Sequence, residues 1–246
     1  MWQSILRPQL EAARAEQRPR AWSDLRLQSN LRYLQLAFNE DWAQARRILP
    51  LIPQSDRILI EAGTPYIKNE GLAGIRAIRE HWPGPIVADL KTVDGGAEEV
   101  AMVRAAGATA ATVLGSSPVE TLDRFISACA DLEIDSMIDM LGVSDPLRVM
   151  MQLAKPPQVV VLHRGRDEEG TRGKVIGYRH VNRVRSKFDV LISAAGGVDL
   201  REARSAIFNG ASIVVVNIVS PGKPWEGIRA DSDVGGMAQQ FLATIE

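Results

Sequence analysis

Ionisable and amide side chains recur in this chain where short apolar runs end. Asn39 closes the first run and Glu61 the second; Asp89 closes the third, with Lys91 and Asp94 just beyond. Asp139 ends the fifth run and His163 the sixth, followed by Arg164 and Arg166. The doublet Gly196–Gly197 ends the seventh and Asn217 the eighth. Carboxylates beside a lysine and a histidine can bind a divalent cation and move protons. Two glycines ahead of a helix opening at Asp199 expose backbone amides, a ready anion cradle. Taken singly, each residue has a structural alternative. Glu61 and Asp89 could be loop carboxylates, Asp94 a helix cap, Lys91 a solvated lysine, His163 a core histidine and the glycines a tight turn. Their recurrence at one kind of position argues for a shared site.

The elements that must position these residues follow from the same pattern. Eight apolar runs, at 31–38, 57–60, 85–90, 109–114, 134–140, 158–162, 189–194 and 211–216, alternate with helical stretches. They are too short for helices, and several are continuously apolar, as strands buried on both faces must be. Ser117-Pro118-Val119-Glu120 reads as a capping serine, a first-turn proline and a capping-box glutamate. Asp145-Pro146 and Asp199-Leu200-Arg201-Glu202 read likewise, while Gly107 and Gly210 sit where a left-handed residue ends a helix. Eight strand–helix units predict a single (β/α)8 TIM barrel over 30–246, with residues 1–29 as an N-terminal helical extension. In such barrels the active site lies at the C-terminal ends of the strands. That rule brings Asn39, Glu61, Asp89, Asp139, His163, Gly197 and Asn217 to one rim. No Gly-x-Gly-x-x-Gly follows the first strand and no phosphate-loop motif occurs, so the common nucleotide fingerprints are missing.

Composition narrows the function classes. Among 246 residues, 29 basic and 30 acidic side chains leave a net charge of −1, which argues against coating a nucleic acid or a membrane surface. No apolar run approaches the ~20 residues needed to span a bilayer, and the first residues lack the apolar core of a secretion signal. The single cysteine, Cys129, falls on the apolar side of a helix over 119–131 and reads as a buried thiol. His81 falls in a last helical turn, and His180 in a basic stretch that reads as the solvated face of the sixth helix. The expectation is a cytoplasmic protein with no nucleic-acid or membrane partner.

The segment Ala88-Asp89-Leu90-Lys91-Thr92-Val93-Asp94 resembles the Asp-x-Lys-x-x-Asp signature of the orotidine-5′-monophosphate decarboxylase superfamily. Ile60-Glu61-Ala62-Gly63-Thr64-Pro65 and His163-Arg164-Gly165-Arg166-Asp167-Glu168 resemble its branch containing 3-hexulose-6-phosphate synthase and 3-keto-L-gulonate-6-phosphate decarboxylase. The resemblance runs from Leu31 to the C-terminus and implies a homodimer with sites at the subunit interface. By it, Glu61 and Asp89 would hold Mg²⁺, and Lys91 would contact the polar groups of a phosphorylated substrate. Asp94 would reach the neighbouring subunit's site and His163 would move protons. Gly196 and Gly197 would offer amides to the sugar phosphate, with Asn39, Asp139, Arg166 and Asn217 also facing substrate. The implied activity is that of a Mg²⁺-dependent carbon–carbon lyase working through an enediolate that the cation stabilises. Three positions depart from the pattern. Asn39 stands for a usual aspartate, Asn217 for a phosphate-binding glycine, and Glu169 for a glutamine frequent in the synthase branch. Asp139 is more synthase-like and Arg166 more decarboxylase-like. Three readings therefore stand: an aldolase of the synthase type, a β-keto sugar acid phosphate decarboxylase, and a non-catalytic barrel that binds a phosphorylated metabolite or a protein.

Overall fold

A computed structural model of the chain describes residues 25–169, 171 and 173–246. The helical extension expected over 1–29 lies, apart from its last residues, outside the described residues. Eight parallel strands run in sequence order: β1 (Tyr33–Phe38), β2 (Ile58–Ala62), β3 (Ile86–Thr92), β4 (Ala110–Leu114), β5 (Asp135–Asp139), β6 (Val159–His163), β7 (Leu191–Ala195) and β8 (Ile213–Val219). β1 also pairs with β8, which closes the sheet into the expected barrel. Each strand is followed by a helix: α1 (Trp42–Ile48), α2 (Thr64–His81), α3 (Gly96–Ala106), α4 (Val119–Asp131), α5 (Pro146–Met150), α6 (Val181–Arg185), α7 (Leu200–Phe208) and α8 (Val234–Thr244). A two-residue strand, β9 (Ile228–Arg229), pairs with the end of β8. Every strand falls on one of the eight apolar runs. β2, β3, β6 and β8 run on to take in Glu61, Lys91, His163 and Asn217.

The alternation of side chains along the strands separates two cores. Leu34, Leu36, Phe38, Ile60, Val160 and Val214 pack outward with helix residues such as Ile75, Phe125 and Phe241. Tyr33, Ala37, Leu59, Val87, Met137, Val159 and Ile213 fill the barrel interior. Leu27 joins this inner cluster from below, because the buried Asp135 carboxylate at the start of β5 takes the Leu27 amide at 2.8 Å and Arg26 Nε at 2.7 Å. An apolar plug thus seals the floor, and inward-facing polar residues collect at the opposite end.

Local capping follows the sequence at Asp199, whose carboxylate accepts the Glu202 amide at 2.7 Å, and at Gly107, whose φ of 105° ends α3. It departs at α4. Ser117 does not cap α4; Pro118 holds that position, and the Ser117 hydroxyl donates to the Thr92 carbonyl instead. At the start of α5 the Asp145 carboxylate turns to Arg183, accepting from its guanidinium at 3.2 Å. His180 corrects the expected solvated face: it is only 6% exposed, in a turn before α6, with its Nε2 accepting from Arg179 Nε. Cys129 is buried as expected. Among the described residues, no helix is long and apolar enough to cross a membrane.

Candidate active site

A backbone irregularity builds the centre of the site. β3 and β4 pair regularly at Val87 and Ala88, then slip before resuming at Thr92. Within the slip Lys91 adopts φ 50°, a left-handed conformation costing a side-chain-bearing residue about 1–3 kcal/mol. The surroundings hold it there. The Lys91 amide donates to Thr112 Oγ1 at 3.0 Å, and Lys91 Nζ bridges Asp89 (2.9 and 3.0 Å) and Asp139 Oδ2 (2.7 Å). Asp139 passes the contact on, receiving His163 Nδ1 at 2.9 Å. Asp89 is held from two further sides, by Thr112 Oγ1 and Thr64 Oγ1, each at 2.8 Å. Glu61 lies deeper, 7% exposed, and accepts from Gln35 Nε2 at 2.5 Å.

Three carboxylates therefore share one mouth with one lysine and one histidine. Burial and the neighbouring Asp89 charge push the Glu61 carboxyl up to about 7. Burial alone would also raise Asp139, but the His163 hydrogen bond and the charges of His163 and Lys91 hold it down to about 2. For Lys91, burial opposes the charge, yet the Asp89 and Asp139 carboxylates outweigh it and keep the ammonium above the usual lysine range. His163 shows the same contest: burial lowers it, and Asp139 wins, raising it above 6.5. With Nδ1 committed to Asp139, Nε2 is the ring nitrogen left for chemistry.

These residues line a cavity of about 460 Å³ that also reaches Asn39, Arg166, Gly196 and Asn217. The structure thus gathers Asn39, Glu61, Asp89, Lys91, Asp139, His163, Arg166, Gly196 and Asn217, and leaves out Asp94 and Gly197. Asp94 is exposed and accepts the Gly95 amide at 2.8 Å. Gly197 lies behind Arg164, whose guanidinium binds the carbonyls of both Gly196 (2.9 Å) and Gly197 (3.2 Å). A side chain at Gly196 would collide with the Arg164 carbonyl, 1.9 Å from its Cβ, which explains the glycine as close backbone approach. Asn39 Nδ2 donates to Asn217 Oδ1 at 3.1 Å, a neutral bridge across the β1–β8 rim. Sequence reasoning missed Gln35 and Thr112, and it placed Arg164 at the rim without foreseeing its hold on Gly196 and Gly197. Gln35 carried a signal, as a polar residue within an apolar run; a strand threonine such as Thr112 carries none.

Fold and site together define a closed (β/α)8 barrel with a lysine–carboxylate–histidine cluster at its C-terminal mouth. The chain belongs to the orotidine 5'-phosphate decarboxylase / HUMPS family, whose model matches residues 32–217. It is 36% identical over 216 residues to the bifunctional enzyme Fae/Hps of Methanothrix thermoacetophila, covering 87% of this chain and 53% of that protein. The chain therefore spans about half the length of the curated relatives it matches. Its fold superposes on 3-hexulose-6-phosphate synthase from Salmonella typhimurium with a TM-score of 0.76 and 27% identity, covering 87% of this chain and 98% of the other. The 3-keto-L-gulonate-6-phosphate decarboxylase from Vibrio cholerae shares the fold at 20% identity, with a TM-score of 0.68 and coverage of 88% and 98%.

Proposed function

We propose that this chain is a carbon–carbon lyase of the 3-hexulose-6-phosphate synthase type, adding C1 of ribulose 5-phosphate to formaldehyde and reversing that addition. The observation that carries the reading is Asp139, which joins Lys91 at 2.7 Å to His163 at 2.9 Å and so couples a fixed cation to a mobile proton. Lys91 stays charged and donates hydrogen bonds to substrate oxygens. His163 takes the C1 proton at Nε2 and returns it to the formaldehyde oxygen as the new bond forms, so the addition consumes no net proton. The relatives named Fae/Hps and the synthase structure support this direction.

The donor set fits Mg²⁺ as a site that substrate and water complete, not as a closed protein cage. Among the described residues no group of three or more His, Cys, Asp or Glu side chains is arranged to hold a metal. Glu61 and Asp89, however, share the mouth from neighbouring strands, and the charge on Asp89 is itself a cause of Glu61's raised pKa. A cation between them would relieve that repulsion. When bound there, Mg²⁺ supplies positive charge against the negative charge developing on the substrate's oxygens.

We propose further that the chain works as a homodimer, a reading supported by Asp94, which is exposed outside the cavity beside the 54% exposed Val93. In that assembly its carboxylate would serve the partner's mouth. A stable monomer with full activity at nanomolar concentration contradicts this assembly.

Arg166 at the cavity wall favours a second reading, a β-keto sugar acid phosphate decarboxylase. Formaldehyde release from hexulose 6-phosphate separates the two: the aldolase releases formaldehyde and the decarboxylase releases CO₂ from its own substrate. Thermal stabilisation by sugar phosphate with neither product would mark a binding barrel. In the first case, Asp89→Asn should remove both Mg²⁺ binding and turnover while the barrel stays folded.

A further inference from the structure

The loop after β8 lies beyond the residues matched to the family model and folds back against β8 and the segment after β6. Arg229 in β9 pins it, donating to the carbonyls of Ser220 and Lys223, both at 2.9 Å. Gly227 lets it pass close to β8, since a side chain there would meet the Asn217 carbonyl 2.3 Å from its Cβ. The loop then touches the segment after β6 at two points. The Glu226 amide donates to Glu169, and the indole of Trp225 lies under the Arg166 guanidinium, 4.2 Å from ring centroid to Cζ. Lys223 Nζ stands 5.3 Å from the same ring.

Arg166 lines the cavity and makes no ion pair among the described residues, so the indole is the contact that fixes its head. A long, flexible cation without such a contact samples many rotamers, and a stacked guanidinium is pre-organised for an anion. We propose that Trp225 is a positioning residue: it holds Arg166 at the cavity wall so that Arg166 meets the anionic end of a phosphate monoester substrate. This rests on the phosphorylated-substrate part of the reading above and adds to it a residue of the loop after β8.

The test compares the wild-type protein with Trp225→Leu, which removes the π face, and Trp225→Phe, which keeps a smaller one. Calorimetric titration with ribulose 5-phosphate should show affinity about five- to tenfold weaker in the leucine variant and within about twofold in the phenylalanine variant. Free ribulose, lacking the anion, should bind all three alike. In turnover, KM should rise while kcat stays within about twofold. Arg166→Gln should cost at least as much as Trp225→Leu, and the double variant no more than Arg166→Gln alone. Equal ribulose 5-phosphate affinities in wild type and Trp225→Leu, or additive losses, would overturn the proposal. If the leucine variant does not fold, the wild-type Arg166 Nε–H proton resonance decides: it should lie upfield under the indole ring current, and an unshifted resonance also overturns the proposal. Failure of the wild type to make hexulose 6-phosphate would sink the aldolase reading instead and leave the binding comparison intact.

Discussion

Replacing Glu61 with Gln should stabilise the metal-free protein at pH 8 and weaken its hold on Mg²⁺. The carboxyl is pushed from 4.5 to about 7 by burial and by Asp89. A raised folded-state value means that Glu61 favours folding below about pH 4.5 and loses that contribution as pH rises through 7. At 1.36 kcal/mol per pKa unit, the ionised side chain costs the folded state about 3 kcal/mol above that range. Glutamine carries no charge to bury and can still accept the hydrogen bond from Gln35. Without metal, Glu61→Gln should therefore melt about 6–12 °C above wild type at pH 8, with the gap closing near pH 4.5. Saturating Mg²⁺ should reverse the order. A ligand at a hundred times its Kd adds about 2.7 kcal/mol to the wild type, and the variant should gain much less. The assay is thermal unfolding at both pH values, in EDTA and in Mg²⁺. A gap independent of pH would refute the burial argument, and equal Mg²⁺ stabilisation of both proteins would refute the metal assignment.

Two further outcomes follow from the same cluster. Asp139→Asn removes the carboxylate that raises His163, so the imidazole pKa should fall. Since His163 must start neutral to take a proton, activity rises with pH through its pKa; the acid limb of the kcat profile should therefore move to lower pH as kcat drops. An unmoved limb would show that His163 is not the titrating base. Thr112→Val deletes the bonds to the Lys91 amide and to Asp89. It should cost about 1–3 kcal/mol in urea unfolding and weaken Mg²⁺ binding, because the left-handed Lys91 loses a support. Unchanged stability would mean that other contacts hold the β3 bulge.

How much of this was legible in the sequence differs from residue to residue. The barrel was, because continuous apolar runs such as Val159–Leu162 fit strands buried on both faces. The rim was too, because Glu61, Asp89, His163 and Asn217 each end such a run. The β3 bulge was not: Lys91's positive φ depends on Thr112 and Asp139, which come from β4 and β5. His180 was misjudged because its arginine neighbours suggested a wet face, whereas the ring turns inward and leaves the arginines outside. The covering of Gly197 by Arg164, and Trp225's contact with Arg166, join segments far apart in sequence, so no local pattern announces them.

The claim that this chain joins one carbon to a pentose phosphate is tested most directly by following labelled formaldehyde. The protein is incubated with ¹³C-formaldehyde, ribulose 5-phosphate and Mg²⁺ and observed by carbon NMR. The account predicts that the label moves into C1 of a hexulose 6-phosphate, and that Asp89→Asn abolishes this transfer. Label remaining in free formaldehyde, with the protein folded and ribulose 5-phosphate bound, would contradict it.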